Sequence, residues 1–224
     1  MKLRVYTLTI IALTLTFNAI PAGAVALFST LPATNTYNSP HFVSHDENTG
    51  SPTDLNWAFQ WTPSVSATVS GIDMALSLGD QFSVVDENVA EVFLHADLAG
   101  LPGSVIDNYS FTSLTSETLG GAVESAASSL NPFVTAGTLY WISLSAGIPN
   151  NNLYSQVGWH VNDQSMTGAY AEESNNSGWT LKGSNSTLAA FRISGNVAAV
   201  PEPSILMLLA LGLGALGLMR SRSV

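Results

Sequence analysis

Three tryptophans, Trp141, Trp159 and Trp179, are the side chains whose type and setting best suit binding chemistry. Sugars stack their apolar faces on aromatic rings, while neighbouring polar groups fix their orientation. Apolar residues flank Trp141, and Ser143, two positions later, lies on the same face of the predicted strand as Trp141. We therefore expect the ring of Trp141 to face away from the core. Trp159 and Trp179 lie near turn-type residues. The three rings are therefore candidates for a sugar platform, and the alternative is that they cap the ends of the fold.

A metal site has weaker support. Asp46 and Asn48 place oxygen ligands at alternate positions, followed by Gly50 for a turn, and calcium prefers such ligands. The rest of a calcium loop is missing, so an acidic surface loop is the default interpretation. His41 and His45 lie four residues apart but have no third ligand for zinc. We expect no cofactor, and calcium at Asp46 and Asn48 is the one weak candidate.

No segment has the pattern of a catalytic motif. The sequence lacks G-x-S-x-G, and its four histidines are scattered. Glycoside hydrolysis needs two facing carboxylates, and the sequence alone does not bring any two together. The acidic residues considered for such a pair are Glu91, Asp97, Asp107, Glu117 and Glu124. We assign no catalytic residue and expect a non-enzymatic protein.

The composition excludes several classes of partner and framework. The 224 residues contain 6 Lys and Arg against 16 Asp and Glu, a formal net charge of −10, and no Cys. Disulfides, thiolate zinc sites and a Cys nucleophile are therefore excluded. Nucleic acid is not an expected partner, because contacts to phosphates need clustered basic residues. Between residues 27 and 200 only Lys182 and Arg192 are basic.

Residues 1–26 are typical of a secretory signal peptide. Lys2 and Arg4 supply the positive start, an apolar stretch follows, and small residues precede two cleavage sites at Ala24 and Ala26. We favour cleavage after Ala26. The secretion machinery is thus an expected partner, and the body of the protein is expected outside the cytoplasm.

The C-terminus has three parts in a fixed order. Pro201-Glu202-Pro203 comes first, an apolar helix is predicted over 204–219, and the basic end at 220–222 contains Arg220 and Arg222. Residues 205–219 have no polar side chain, but their helix is about 22 Å long, which is short for a hydrocarbon core of about 30 Å. The arginines are expected on the cytoplasmic side of the inner membrane.

This tail resembles the PEP-CTERM sorting signal, also called the ice-binding protein C-terminal domain, a name that describes the tail and not the body. The resemblance implies recognition by an exosortase-like membrane enzyme of Gram-negative, exopolysaccharide-producing bacteria. It further implies transient anchoring in the inner membrane, then placement at the cell surface or outside the cell. An ordinary permanent anchor is the alternative.

Period-two alternation dominates the segment between the two ends. Trp57, Phe59 and Trp61 share one face and are expected in the core, and several similar runs follow, separated by turn signals. This pattern predicts a mainly β fold, an antiparallel, jelly-roll-like β-sandwich over 27–195, joined to the tail by a linker at 196–200. Residues 31–51 are expected to form a loop, and 119–130 a short helix.

Parts of the body also resemble passenger domains of the choice-of-anchor type. The similar segments are Glu91–Gly103, Thr138–Leu144 and Gly178–Leu181. The resemblance supports the fold and implies no catalytic role. The expected function is a structural or interaction role of an exported protein, linked to exopolysaccharide. A carbohydrate-binding module is the alternative, and a glycan-active enzyme is a third hypothesis.

Overall fold

The computed structural model describes residues 24–46, 54–79, 89–116, 120–147 and 154–197, and every helix or strand in these ranges is a β-strand. Within them, no helix has the length and apolarity needed to cross a membrane. The strands are β1 (Ala24–Ser29), β2 (Tyr37–Asp46), β3 (Leu55–Trp61), β4 (Ala67–Leu78), β5 (Ala90–Leu98), β6 (Leu101–Phe111), β7 (Ala122–Ala127), β8 (Phe133–Val134), β9 (Tyr140–Ala146), β10 (Tyr154–Asn162), β11 (Thr167–Ser174), β12 (Thr180–Thr187) and β13 (Phe191–Asn196).

The strands form two layers that face each other across one core. In the first layer, β4 pairs with β13, β10, β7 and β8, and the layer continues from β13 to β1 and from β10 to β2. In the second layer the strand order is β12-β11-β3-β9-β5-β6. One residue pair, Ser44 with Leu55, joins the layers through β2 and β3. Rings from opposite layers meet in the core, as Phe59 and Trp159 do with centroids 5.0 Å apart. The predicted mainly β, antiparallel fold is therefore confirmed, whereas the narrower jelly-roll assignment and the domain boundaries stay predictions.

A β-bulge in β4 allows both halves of this long strand to direct apolar side chains into the core. Val69 lies opposite Gly195 and Gly71 lies opposite Ser194, so Ser70 is an extra residue in the pairing with β13. An extra residue reverses the alternation of side chains along a strand. Both Val69 and Ile72 are consequently buried in the same core cluster, although three positions separate them.

Two expectations about local structure are wrong. Residues 37–46 of the expected loop form β2, which pairs along most of its length with β10. Residues 122–127 of the expected helix form β7, which pairs with the side of β4 that β13 leaves open. The Ala- and Ser-rich composition of β7 is compatible with a helix, but local propensity is weak compared with pairing to a central strand.

The start of β1 lies inside the predicted signal peptide. Both cleavage candidates are in this strand, with Ala24 opposite Asn196 and Ala26 opposite Ser194. The remainder of the predicted signal peptide, residues 1–23, lies outside the described residues. Cleavage after Ala24 keeps five residues of β1, and cleavage after Ala26 keeps three.

The bulge generates a prediction for Gly71. A Cβ at this position would lie 2.6 Å from the carbonyl oxygen of Ala126, which is backbone of β7 and cannot easily move. We expect Gly71→Ala to lower the free energy of unfolding by about 1–3 kcal/mol through overpacking. Urea denaturation monitored by tryptophan fluorescence measures this change. The matched control, Ser70→Ala, removes only a hydroxyl at the neighbouring position. Equal stability of the two variants would show that β7 does not pack against Gly71 in this way.

Candidate functional site

An open groove lies where the two layers separate between β2 and β11. Its volume is about 190 Å³. The residues that line it come from β2, β3, β11 and β12, and they are His41, Trp57, Phe59, Tyr170, Ser186 and Thr187. We call this set the aromatic groove. Its lining combines four rings with two side-chain hydroxyl groups, and rings together with polar groups are the combination that sugar binding requires.

Strand register brings the rings of the aromatic groove together. Trp57 and Phe59 are two residues apart on β3 and therefore point to the same face. Tyr170 of β11 is directly opposite Phe59 in the ladder between these strands. His41 comes from β2 in the other layer. The groove therefore forms only when β2, β3 and β11 are paired in the folded protein.

The rings pack around Trp57. Its centroid is 4.6 Å from that of His41, with 35° between the planes, and 5.7 Å from that of Tyr170, with 39° between the planes. Phe59 is fully buried beneath them, while Trp57 and Tyr170 remain partly exposed and His41 is exposed. These tilted contacts hold the rings in place and leave part of two aromatic surfaces open to solvent.

Charged groups lie beside Trp57. Glu172 is directly opposite Trp57 in the ladder between β11 and β3, and Nζ of Lys182 is 3.5 Å from the carboxylate of Glu172. His41 is exposed overall, but contact of its imidazole with the Trp57 ring removes part of its hydration and lowers the pKa of His41, so the imidazole is mostly uncharged near pH 7. The indole nitrogen of Trp57 is buried and has no hydrogen-bond partner among the described residues. A buried donor without an acceptor costs free energy.

The structure does not bring the three predicted platform rings together on a surface. Trp141 is 0% exposed and Trp159 is 1% exposed, so the expectation of exposed rings is wrong for both. Trp159 belongs to the main core, against Phe59. Trp179 is half-buried beside His95, with centroids 6.1 Å apart. A sugar platform built from these three positions is therefore not available, and only Trp179 keeps any accessible surface.

Trp141 is buried because both faces of β9 are covered. The face with Tyr140 and Ile142 packs into the core, as predicted. The opposite face is covered by Trp179, from the turn after β11, and by Leu101 of the β5–β6 hairpin. The indole nitrogen of Trp141 donates a hydrogen bond of 2.8 Å to the carboxylate of Asp97, which satisfies it inside this second cluster.

The same cluster contains a hydroxyl–imidazole pair. Nδ1 of His95 is 3.1 Å from the carbonyl oxygen of Gly103, and Nε2 is 2.8 Å from Oγ of Ser143. With Nδ1–H donating to the carbonyl, Nε2 accepts from the hydroxyl, which is how a general base holds a nucleophile. Ser143 is only 2% exposed, however, so no substrate reaches it in this arrangement. Here the pair joins β5, β6 and β9.

Two of the acidic residues considered for glycoside hydrolysis, Asp97 and Asp107, have local structural partners, while Glu117 lies outside the described residues. Asp97 accepts from Trp141 and from the backbone N–H of Gly100. Asp107 is fully buried and accepts hydrogen bonds from Tyr109 and Ser128. Burial, followed by the contact with Asp107, raises the pKa of the Tyr109 hydroxyl strongly. Asp107 thus links β6 of one layer to the end of β7 in the other.

The metal candidates are not assembled in the described part of the chain. Asn48 lies outside the described residues, and the backbone of Asp46 pairs with Tyr154. Nδ1 of His45 contacts the carboxylate of Asp54, whereas His41 lines the aromatic groove. Across the described ranges, no three His, Asp or Glu side chains are grouped to hold a metal ion. Calcium at Asp46 and Asn48 stays a prediction.

The comparisons with known proteins identify the tail. Residues 199–223 match the PEP-CTERM protein-sorting motif, which confirms the resemblance of the C-terminus. The motif implies an exported protein that is anchored transiently in the membrane and sorted by an exosortase. Its sequence features, including Pro201, Glu202, Pro203, Arg220 and Arg222, lie outside the described residues, as do the predicted helix 204–219 and residues 198–200 of the linker.

The comparisons give less for the body. No curated protein matches the sequence significantly. A solved structure, the CBM32 of AlyQ in complex with 4,5-unsaturated mannuronic acid, is similar with a TM-score of 0.24 and 15% sequence identity, covering 63% of this chain and 94% of that chain. A TM-score this low establishes neither a shared fold nor a shared ligand.

Sequence reasoning placed Trp57 in the core and so missed the aromatic groove. The alternation of Trp57 with Phe59 and Trp61 correctly predicts a common face, and Phe59 and Trp61 are indeed buried. The sequence contains no signal that the opposing layer leaves Trp57 partly uncovered. That edge depends on where β2 and β11 pair, which the residues of β3 do not specify.

The buried His95 predicts a pH dependence of stability. Desolvation lowers its pKa, against the opposing influences of the Gly103 carbonyl and the charge of Glu173. Between the lowered folded pKa and the unfolded value of about 6.5, the unfolded chain binds more protons, so stability falls as the pH drops through this interval. We expect the urea concentration at the unfolding midpoint to be lower at about pH 5 than at about pH 7. This decrease should be smaller in His95→Gln. Identical pH profiles for the two proteins would show that His95 does not contribute.

Proposed function

We propose that this protein is an exported, non-enzymatic component of the bacterial cell surface or extracellular matrix that contacts exopolysaccharide through the aromatic groove. The sorting motif at residues 199–223 supports export and exosortase processing. The observation that supports the binding role is that two partly exposed rings, Trp57 and Tyr170, line one groove together with the hydroxyl-bearing residues Ser186 and Thr187.

The dimensions of the aromatic groove suit a short stretch of polysaccharide. A volume of about 190 Å³ is smaller than the roughly 300–1,000 Å³ of typical small-molecule pockets. An open site of this size fits one or two sugar units of a chain that continues past both ends. The apolar face of a sugar would lie on Trp57 and Tyr170, and its hydroxyls would exchange hydrogen bonds with Ser186 and Thr187.

The charge of the protein limits which polysaccharide binds directly. The net charge of −10 repels a polyanion, and Glu172 and Glu173 follow Tyr170 on β11. A neutral polymer avoids that repulsion, and an acidic polymer would need cations to bridge it to the protein. The neutral state of His41 is consistent with a neutral ligand, because the imidazole then acts as a flat apolar and hydrogen-bonding surface.

Affinity electrophoresis tests the binding role. The secreted protein is run in gels that contain the host's exopolysaccharide, with calcium and with chelator. We expect retardation that is lost in Trp57→Leu and in Tyr170→Leu, because leucine keeps part of the buried volume but has no flat ring for stacking. Circular dichroism and the thermal midpoint confirm that each variant folds.

Trp179→Leu is the matched control, because Trp179 is a half-buried tryptophan outside the aromatic groove. It should keep full retardation. Loss with Trp179→Leu alone would move the binding site to the second cluster, and loss only with chelator would assign binding to a cation bridge. No retardation in any gel would remove direct binding to that polymer and leave a structural role.

Mass spectrometry tests the sorting role. In a host with the exosortase, we expect the secreted protein to end near Pro201-Glu202-Pro203, because that segment precedes the apolar helix in the sorting motif. A host without the enzyme should retain the full tail in its membrane fraction. Recovery of intact Arg222 in the secreted form would contradict exosortase cleavage and favour another release route.

A further inference from the structure

A group of large apolar side chains is exposed at one end of the sandwich. Phe133 is 63% exposed and Leu130 is 64% exposed, with Leu139 at 41% and Val65 at 39%. We call these four residues the apolar end. Isolated exposed apolar side chains are ordinary on protein surfaces, but a contiguous group marks an interaction site.

Backbone contacts join the two segments that carry the apolar end. Phe133 of β8 lies opposite Thr68 of β4. The segment after Phe133 then bonds to the turn that contains Val65: the N–H of Ala136 donates to Ser66 Oγ at 2.9 Å, and the N–H of Gly137 donates to the Pro63 carbonyl at 3.1 Å. Segments 62–68 and 128–139 therefore lie side by side.

These two segments contain no Asp, Glu, Lys, Arg or His. The absence is pronounced because residues 27–200 carry fifteen acidic residues. Residues 194–197, which end β13, are uncharged as well. An uncharged apolar surface on an acidic protein can approach an anionic lipid surface without the repulsion that the rest of the molecule would meet.

The chain leaves the sandwich beside the apolar end. Asn196, at the end of β13, lies opposite Thr68, which in turn lies opposite Phe133. Only residues 198–204 separate Val197 from the apolar run that starts at Ile205. Seven residues span at most about 25 Å when fully extended. Once residues 205–219 are in the membrane, this end of the sandwich must stay close to the bilayer surface.

We propose that the apolar end contacts the outer leaflet of the inner membrane while the sorting tail is inserted. This inference rests on the transient anchoring in the proposed function. Phe133 and Leu130 partition into the interfacial region, and the charge-free backbone turns around them face the headgroups. The contact holds the body in one orientation and keeps Pro201-Glu202-Pro203 at the membrane surface. A few side chains give only reversible binding, so the body detaches after cleavage.

Fluorescence of the full chain in vesicles tests this proposal, and the absence of native Cys allows single labels. The full-length protein is reconstituted in phosphatidylethanolamine–phosphatidylglycerol vesicles with an environment-sensitive probe on Ser129→Cys, which leaves all four apolar residues in place. We expect a blue-shifted emission that brominated lipids quench. The comparison probe, on Ser177→Cys, lies in the exposed turn after β11, next to Ser174, which is opposite Leu55 at the start of β3. This position is about 20 Å along β3 from Trp61, the end of the strand that leads into segment 62–68, and the probe should show neither effect.

Substitutions then identify the surface responsible. Phe133→Ser in the Ser129→Cys background should reduce the lipid quenching at least about twofold, because it removes the largest apolar side chain of the patch. Leu181→Ser is the matched control, since Leu181 is 49% exposed and lies on β12 outside the apolar end. It should leave the quenching unchanged.

Three other results would overturn the proposal. If the protein floats with the vesicles but probes at positions 129 and 177 give equal, unquenched spectra, the body stays off the membrane. A blue shift that grows with protein density and resists brominated lipid would assign the apolar end to contacts between copies. Failure of the full chain to float with the vesicles would refute the anchoring in the proposed function, and this inference with it.

Discussion

The sandwich depends on the bulge at Ser70, because β4 is the strand to which four others bond. Its two halves must both direct apolar side chains into the core, and an unbroken alternation cannot place Val69 and Ile72 on one face. The extra residue opposite β13 resolves this conflict. Gly71 then allows β7 to approach from the other side, where any side chain would meet backbone. Pairing, core packing and the position of the segment after β7 all follow from this single irregularity.

Alternation along the chain was sufficient to predict strands and insufficient to predict which surfaces they expose. The runs around Phe59 and Ile142 were correctly assigned to strands, and their inward residues are buried. Trp141 shows the limit of that reasoning, since its face is polar in pattern yet is covered by Trp179 and Leu101. Cover of this kind comes from residues distant in sequence. The error about β7 has the same origin, because the open side of β4 is a tertiary feature.

The tail and the groove differ in how they are encoded. The sorting motif is a linear signal whose prolines, apolar stretch and arginines are recognisable before any folding, and the match at residues 199–223 confirms its recognition from the sequence. The aromatic groove is encoded by register: Tyr170 reaches Trp57 only through the pairing of β11 with β3, and His41 arrives from the opposite layer. Neither His41 nor Tyr170 has a local pattern that distinguishes it from other half-buried residues. Sites of this second type become visible only once strand partners are known.

The pairing of β1 with β13 has a consequence for the order of events during export. These strands stand at opposite ends of the described chain, and Phe28 must meet Ile193 to complete the layer. When a chain crosses a membrane from its N-terminus, β1 emerges first and its partner β13 emerges last. The first strand therefore stays unpaired until nearly all of the chain has crossed. Closure of such a long loop is slow. The net negative charge of the sequence helps to keep the incompletely folded chain from associating with its neighbours until β13 has crossed.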